Sequence, residues 1–189
     1  MAIVINGSNN TISGLAVGGL PDGCIDTDMI AANAVSSGKL ASGAITAGAM
    51  PSGTIIQYKY ATMTGSSVGY NSDSEADISG MNISIAKTNA SNLVVCEISF
   101  LPYFGGTSGM RMNLKIKRDG TEIYSAPYGV FRSGSVWKSS QALMRKVDTG
   151  VNDTNSHTYK FTVKREEGSD ELWLSNTPAH TITVMEVVA

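Results

Sequence analysis

Large apolar residues recur at every fifth position along the N-terminal part of the chain: Leu15, Leu20, Ile25, Ile30, Val35, Leu40, Ile45, Met50 and Ile55. The positions between them are mostly Gly, Ala, Ser, Asp or Thr, with Val17 and Met29 as exceptions. A period of five matches neither the 3.6 of a helix nor the 2 of a strand. Gly38, Gly43, Gly48 and Gly53 keep the same beat, and each glycine inside a helix costs about 1 kcal/mol relative to alanine. A long isolated helix is therefore disfavoured. A repeat that cannot bury its own apolar residues buries them against copies of itself. Residues 15–55 thus read as a narrow shaft in which several chains each contribute one apolar residue per layer. The alternative is an Ala/Gly/Ser-rich linker whose beat is accidental. DTDMIAANA over 26–34 has the pattern of one short capped helical turn.

The pattern changes on both sides of the repeat. Ahead of it, Ala2 to Ile5 (AIVI) reads as a short strand, followed by turn chemistry at Asn6-Gly7 and Asn9-Asn10. After it, short runs of β-formers alternate with turn signals. Strands are predicted at Ile55 to Thr62, Met81 to Lys87, Asn92 to Leu101 and Met110 to Lys117. Others are predicted at Thr121 to Ser125, Val136 to Lys138, Gln141 to Val147, around Tyr159 to Val163, at Glu171 to Leu174 and at Thr181 to Val188. Met110, Met112, Leu114 and Ile116 alternate with Arg111, Asn113, Lys115 and Lys117, the mark of a half-buried strand. Asp119-Gly120 directly after it predicts a hairpin. Eight to ten such strands imply a β-sandwich of the jelly-roll kind. Three segments follow: an anchor strand and turn region at 1–20, a repetitive shaft at 21–53, and an all-β head at 54–189.

Composition sharpens the division. Residues 1–53 carry only Asp22, Asp26, Asp28 and Lys39 as charges and no aromatic residue, whereas all four Phe, seven Tyr and two Trp lie beyond. Large side chains supply most of a core's buried area, so the core belongs to the head. The net charge of -2 gives no electrostatic reason for nucleic acid or an anionic membrane as partner. No stretch has the pattern of a signal peptide or a membrane span, so synthesis in a cytosol is expected. Cys24 and Cys96 read as buried free thiols.

Candidate chemistry is sparse. His157 and His180 share no metal-ligand spacing with each other or with the cysteines. No phosphate loop and no nucleophile elbow is present, so no catalytic, cofactor or metal residue is assigned. Asp73, Glu75 and Asp77 alternate as carboxylates in a Ca²⁺ loop do, but without an EF-hand glycine or distal glutamate they read as a solvated loop. Tyr103, Phe104, Tyr128, Phe131 and Trp137 cluster near presumed loops and are the candidate receptor contacts, with core or interface packing as the alternative. Trp173, between Leu172 and Leu174, reads as buried.

Two segments carry a resemblance. INGSNNTISGLAVGGLPDG with DTDMIAANAVSSGKLASGAI resembles the start of short bacteriophage fibre-type proteins of cyanobacterial and marine phages, whose shafts use similar AAxAVxxxKLAxxAI runs. NSHTYKFTVKRE and HTITVMEVVA are similar to the last strands of their jelly-roll heads. The resemblance implies a homotrimeric virion surface protein with a head like that of tumour necrosis factor. Its shaft core would be Leu15 through Met50, and its anchor Ile3, Val4 and Ile5 would hold another virion protein. Two functions then compete. One is a short tail fibre whose head binds a host surface glycan or protein. The other is a capsid decoration protein that clamps capsid subunits through its N-terminal segment. A cellular lectin-like or cytokine-like module is the rival from another class, and a polysaccharide-cleaving enzyme would need a paired carboxylate arrangement.

Overall fold

The computed structural model describes residues 4–8, 11–13, 30, 32, 34–41, 44–65, 68–101, 103–105, 110–131, 138–139, 142–168, 171–174 and 180–189. The chain divides into two compact units, Met1–Ile45 and Thr46–Ala189. In the first, β1 (Val4–Asn6) and β2 (Thr11–Ser13) pair antiparallel, with Ile5 opposite Ile12. The expected N-terminal strand is thus half of a small hairpin.

Eight strands of the second unit make two four-stranded antiparallel sheets. One runs β11 (Ala142–Asp148), β6 (Leu93–Phe100), β14 (Thr181–Val187), β3 (Ile55–Thr62). The other runs β5 (Ala76–Ala86), β12 (Ser156–Gly168), β8 (Met110–Arg118), β9 (Thr121–Phe131). Taken in chain order, these strands switch sheet at every step except the β8–β9 hairpin. That winding is a jelly roll. The hairpin closes through Asp119 at φ 50 and Gly120 at φ 84, both left-handed as its two-residue loop requires.

The core lies between the two sheets. Ile78, Met81, Ile85, Met112, Leu114, Ile116, Tyr159, Phe161 and Val163 face Val94, Cys96, Ile98, Phe100, Met144, Ile182 and Val184 in one cluster. Alternation explains the choice: in β12 Tyr159, Phe161 and Val163 point in, while Lys160 and Lys164 point out. Phe100 and Phe161 meet across the layers with ring centroids 5.1 Å apart.

Four short strands form a third sheet, in the order β10 (Lys138–Ser139), β7 (Tyr103–Gly105), β13 (Glu171–Leu174), β4 (Val68–Tyr70). Each lies in a connection that passes between the two large sheets: β4 from β3 to β5, β7 from β6 to β8, β10 from β9 to β11, β13 from β12 to β14. All four leave the same end of the sandwich, so they cap it. The chain comes in at the opposite end, where Gly53 N–H donates to Val188 O and Val188 N–H to Thr54 O.

Several limits differ from the sequence expectation. β5 begins at Ala76, so Asp77 sits in a strand rather than a loop. β9 continues through Pro127 to Phe131, which an edge strand tolerates because its outer N–H row needs no partner. The short strands β2, β4 and β7 were not foreseen. The helical turn expected over 26–34 lies largely outside the described residues.

Candidate assembly surface

The five-residue beat has a local structural cause. In the first unit Lys39 N–H donates to Ser36 O at 2.9 Å and Ala44 N–H to Ala41 O at 3.0 Å. In the second unit Ala49 N–H donates to Thr46 O at 2.9 Å and Thr54 N–H to Pro51 O at 3.2 Å. Each bond closes a four-residue turn. One residue is left over between turns, and it is the apolar one: Val35, Leu40, Ile45, Met50, Ile55. Four turn residues plus one spacer make the period of five. Gly53, third in its turn, stands at φ 87, the left-handed conformation that a type II turn needs there. Lys39 Nζ reaches back one repeat to Ala34 O at 2.7 Å.

The spacers are not buried by their own chain. Ile30, Val35, Leu40 and Ile45 are 46%, 54%, 43% and 49% exposed, and Met50 is half-buried. Leu15, Leu20, Ile25 and Ile3 lie outside the described residues. Val4 and Ile5 lie in β1.

The second apolar surface is the outer face of the β11-β6-β14-β3 sheet. Register places Val147, Val95, Met185 and Tyr58 in one row across the four strands, and Arg145, Glu97, Thr183 and Tyr60 in the next. Leu143 heads a third row with Ser99, Thr181 and Thr62. Tyr58, Tyr60 and Leu143 are 61%, 65% and 63% exposed, and the two tyrosine rings sit 6.3 Å apart. Arg145 and Glu97, the charged pair of this face, stand 3.8 Å from each other. Ile55, the last residue of the beat and the first of β3, pairs with Val187 at the rim of this face.

The other sheet's outer face is the opposite in character. Lys115 and Lys117 both bind Glu75, and Lys115 also reaches Glu122 at 2.9 Å. Lys160 pairs with Asp77 at 2.7 Å and Arg165 with Asp73 at 2.9 Å. All three acids of the suspected cation loop are therefore answered by ammonium or guanidinium groups on β8 and β12. Burial raises the Glu75 pKa, but the lysine contacts outweigh it and hold the carboxyl below its usual range. Among the described residues no group of three or more His, Cys, Asp or Glu side chains is placed for a metal ion.

Of the aromatic candidates, Tyr103 and Phe104 lie in β7 and Tyr128 and Phe131 in β9, while Trp137 lies outside the described residues. Trp173 is half-buried in β13, less covered than its sequence context suggested. Cys96 is a buried free thiol whose pKa is pushed up to about 12 by burial and by the nearby carboxylates of Asp148 and Glu97. Cys24 lies outside the described residues.

Sequence reasoning missed three polar clusters that hold loops. Glu186 is fully buried and accepts from Asn92 Nδ2, Thr88 N–H and Oγ1, and Gln57 Nε2. Lys87 is buried and donates to the carbonyls of Ala90, Asn92 and Val151, each at 2.6 Å. His157 stands between Asp119 and Asp153, with Nδ1 2.6 Å and Nε2 3.0 Å from their carboxylates. Each cluster has a contact that spans 38 or more positions, which is why no local spacing announced them.

No known protein family matches the chain, and neither does any curated protein. Among solved structures it is similar to a protein of infectious bursal disease virus Gx strain, with 13% identity, a TM-score of 0.40, and coverage of 70% of this chain and 37% of that one. It is also similar to the insecticidal delta-endotoxin Cry8Ea1 of Bacillus thuringiensis, with 14% identity, a TM-score of 0.36, and 64% and 19% coverage. Latent PorU of Porphyromonas gingivalis gives 9% identity, a TM-score of 0.39, and 69% and 12% coverage. The chain thus spans well under half of each of these proteins. Likenesses so distant carry nothing about what the chain does.

Proposed function

We propose that this chain is a non-enzymatic structural protein of a bacteriophage particle, a homotrimer that stands on the virion surface as a short tail fibre for host attachment. The observation that carries this reading is where the exposed apolar side chains fall. Among the described residues, all the exposed large ones except Tyr124 are pentad spacers or lie on the β11-β6-β14-β3 sheet. A monomer in water gains nothing from holding such residues in regular rows. The occupant that fits is further copies of the same chain. The repeat supplies one apolar residue per layer from each copy. The sheet face is charge-balanced by its own Arg145–Glu97 pair, so like faces meet without stranded charge. Threefold order, and an anchor at Ile3, Val4 and Ile5 that engages another virion protein, follow the sequence resemblance.

The mass of the full chain in solution tests the assembly: three times the 19.8 kDa protomer is expected, and a monomer at micromolar concentration overturns it. Cryo-electron microscopy of particles labelled with a head-specific antibody fragment tests the location. Label confined to the tail is expected; label spread over the capsid makes the chain a decoration protein instead.

A further inference from the structure

The cap sheet presents a surface of a different kind from the assembly face. Register sets Ser139, Tyr103, Trp173 and Gly69 opposite one another across its four strands. Neighbouring positions on the same face are Gly105 and Glu171. The opposite face holds Leu172, which is fully buried in the core, so the Trp173 face is the outer one. Trp173 lies across the β4 backbone: a Cβ on Gly69 would come within 3.1 Å of its Cε2 and 3.3 Å of its Cζ2. The Glu171 carboxylate lies beside it, 3.0 Å from the same point, and Asn71 Nδ2 donates to Glu171 Oε1 at 2.6 Å.

We infer that this outer face is a saccharide-binding site for neutral pyranosides, with Trp173 as the stacking platform and Glu171 and Asn71 as hydroxyl partners. The inference rests on the host-attachment reading and names the ligand class. The half-buried Trp173 indole has Gly69 and Gly105 at neighbouring positions and the hydrogen-bonded Glu171–Asn71 pair beside it. One aromatic plane takes the apolar C–H face of a sugar ring, and planar polar groups at its edge take the hydroxyls. The Glu171 carboxylate disfavours uronic and sialic acids by like-charge repulsion.

The test is binding of the full-length protein to immobilised galactosides, glucosides, mannosides and N-acetylglucosaminides, with sialosides and glucuronides beside them. Binding confined to the neutral sugars is expected. Trp173→Ala should weaken it by about tenfold or more, while Trp173→Phe keeps most of it. Glu171→Gln should weaken neutral sugars and admit acidic ones, a change of preference that a merely structural residue would not produce. Unchanged thermal unfolding and oligomer mass in the variants show that the fold is intact. The inference is overturned if the wild type binds no saccharide, or if Trp173→Ala and Trp173→Phe both bind as well as it does. Binding of host cells without binding of any sugar would sink the platform and leave host attachment standing; failure on both would sink both.

Discussion

Gly80 shows how one backbone position decides the course of a strand. It sits inside β5 at φ 79, where the register with β12 shifts. A side chain there would collide with Thr62 O at 2.5 Å and Thr64 N at 2.6 Å. Left-handed strain and backbone overlap act together, so Gly80→Ala should cost about 3 kcal/mol, readable as a drop in the denaturant midpoint. A loss under about 1 kcal/mol would show that the bulge relaxes freely. His157 decides a different matter. Its two carboxylate partners only accept, so both ring nitrogens must donate, and the ring is held as imidazolium. Asp119 and then Asp153 raise the His157 pKa. The Thr158 N–H and the histidine in turn hold Asp119 below the usual carboxylate range, with a smaller contribution from Arg118, and the histidine does the same for Asp153. A raised histidine contributes fully below its unfolded value of about 6.5 and fades as pH climbs through the folded value. The depressed carboxylates contribute above about 3.9 and fail as pH falls through their folded values. The clamp is therefore complete in mild acid and loosens toward alkaline pH. In an NMR titration the His157 ring should titrate above the free-histidine value, and Asp119→Asn should bring it down. A titration at or below the free value would remove the clamp.

At the scale of elements, legibility followed burial. The alternation in β8 and β12 and the apolar run of β6 were plain because one or both faces of each meet the core, and periodicity is the trace that burial leaves in a sequence. The Asp119-Gly120 hairpin was plain because turn chemistry is local. The cap was not: β4 and β7 have three residues each and β10 two, too short for a period to show. They exist because the four connections at one end pair with each other, a tertiary fact. Trp173 was misplaced for the same reason, since alternation names two faces without saying which is outward. The pentad was visible as a rhythm but not as turns, because a turn-plus-spacer unit matches neither standard template. That unit makes a testable demand. Deleting the whole repeat 36–40 keeps every remaining spacer in phase, whereas deleting 36–38 throws Ile30 and Val35 out of phase with Leu40. The three-residue deletion should lower the thermal dissociation temperature of the assembly more than the five-residue one. Equal loss from both would mean that the beat carries no pairing.

The whole molecule divides its labour between faces. The sheet built on β5 and β12 carries a lattice of ion pairs suited to water, and exposed pairs of this kind contribute only about 0–1 kcal/mol each. The sheet built on β6 and β14 shows water its tyrosines, Leu143 and Val147. Covering one large apolar side chain contributes about 1.5–3 kcal/mol, so a few such residues per copy outweigh every surface ion pair of the opposite sheet. This asymmetry fixes what substitution should do. Tyr60→Glu with Leu143→Glu places two new carboxylates on a face already balanced by Arg145 and Glu97, and each copy that joins repeats the mismatch. Unpaired charge buried between subunits costs several kcal/mol per site. The double variant should therefore sediment as a 19.8 kDa monomer while its far-ultraviolet circular dichroism stays that of the wild type, since neither side chain belongs to the core. Lys160→Glu with Asp77→Lys, a reversal on the opposite sheet, should leave the assembly intact. If the first pair leaves the oligomer whole, the apolar sheet is not where copies meet, and the pentad spacers alone would have to hold them. If the second pair dissociates it, the charged face is the contact and the assignment of faces is inverted.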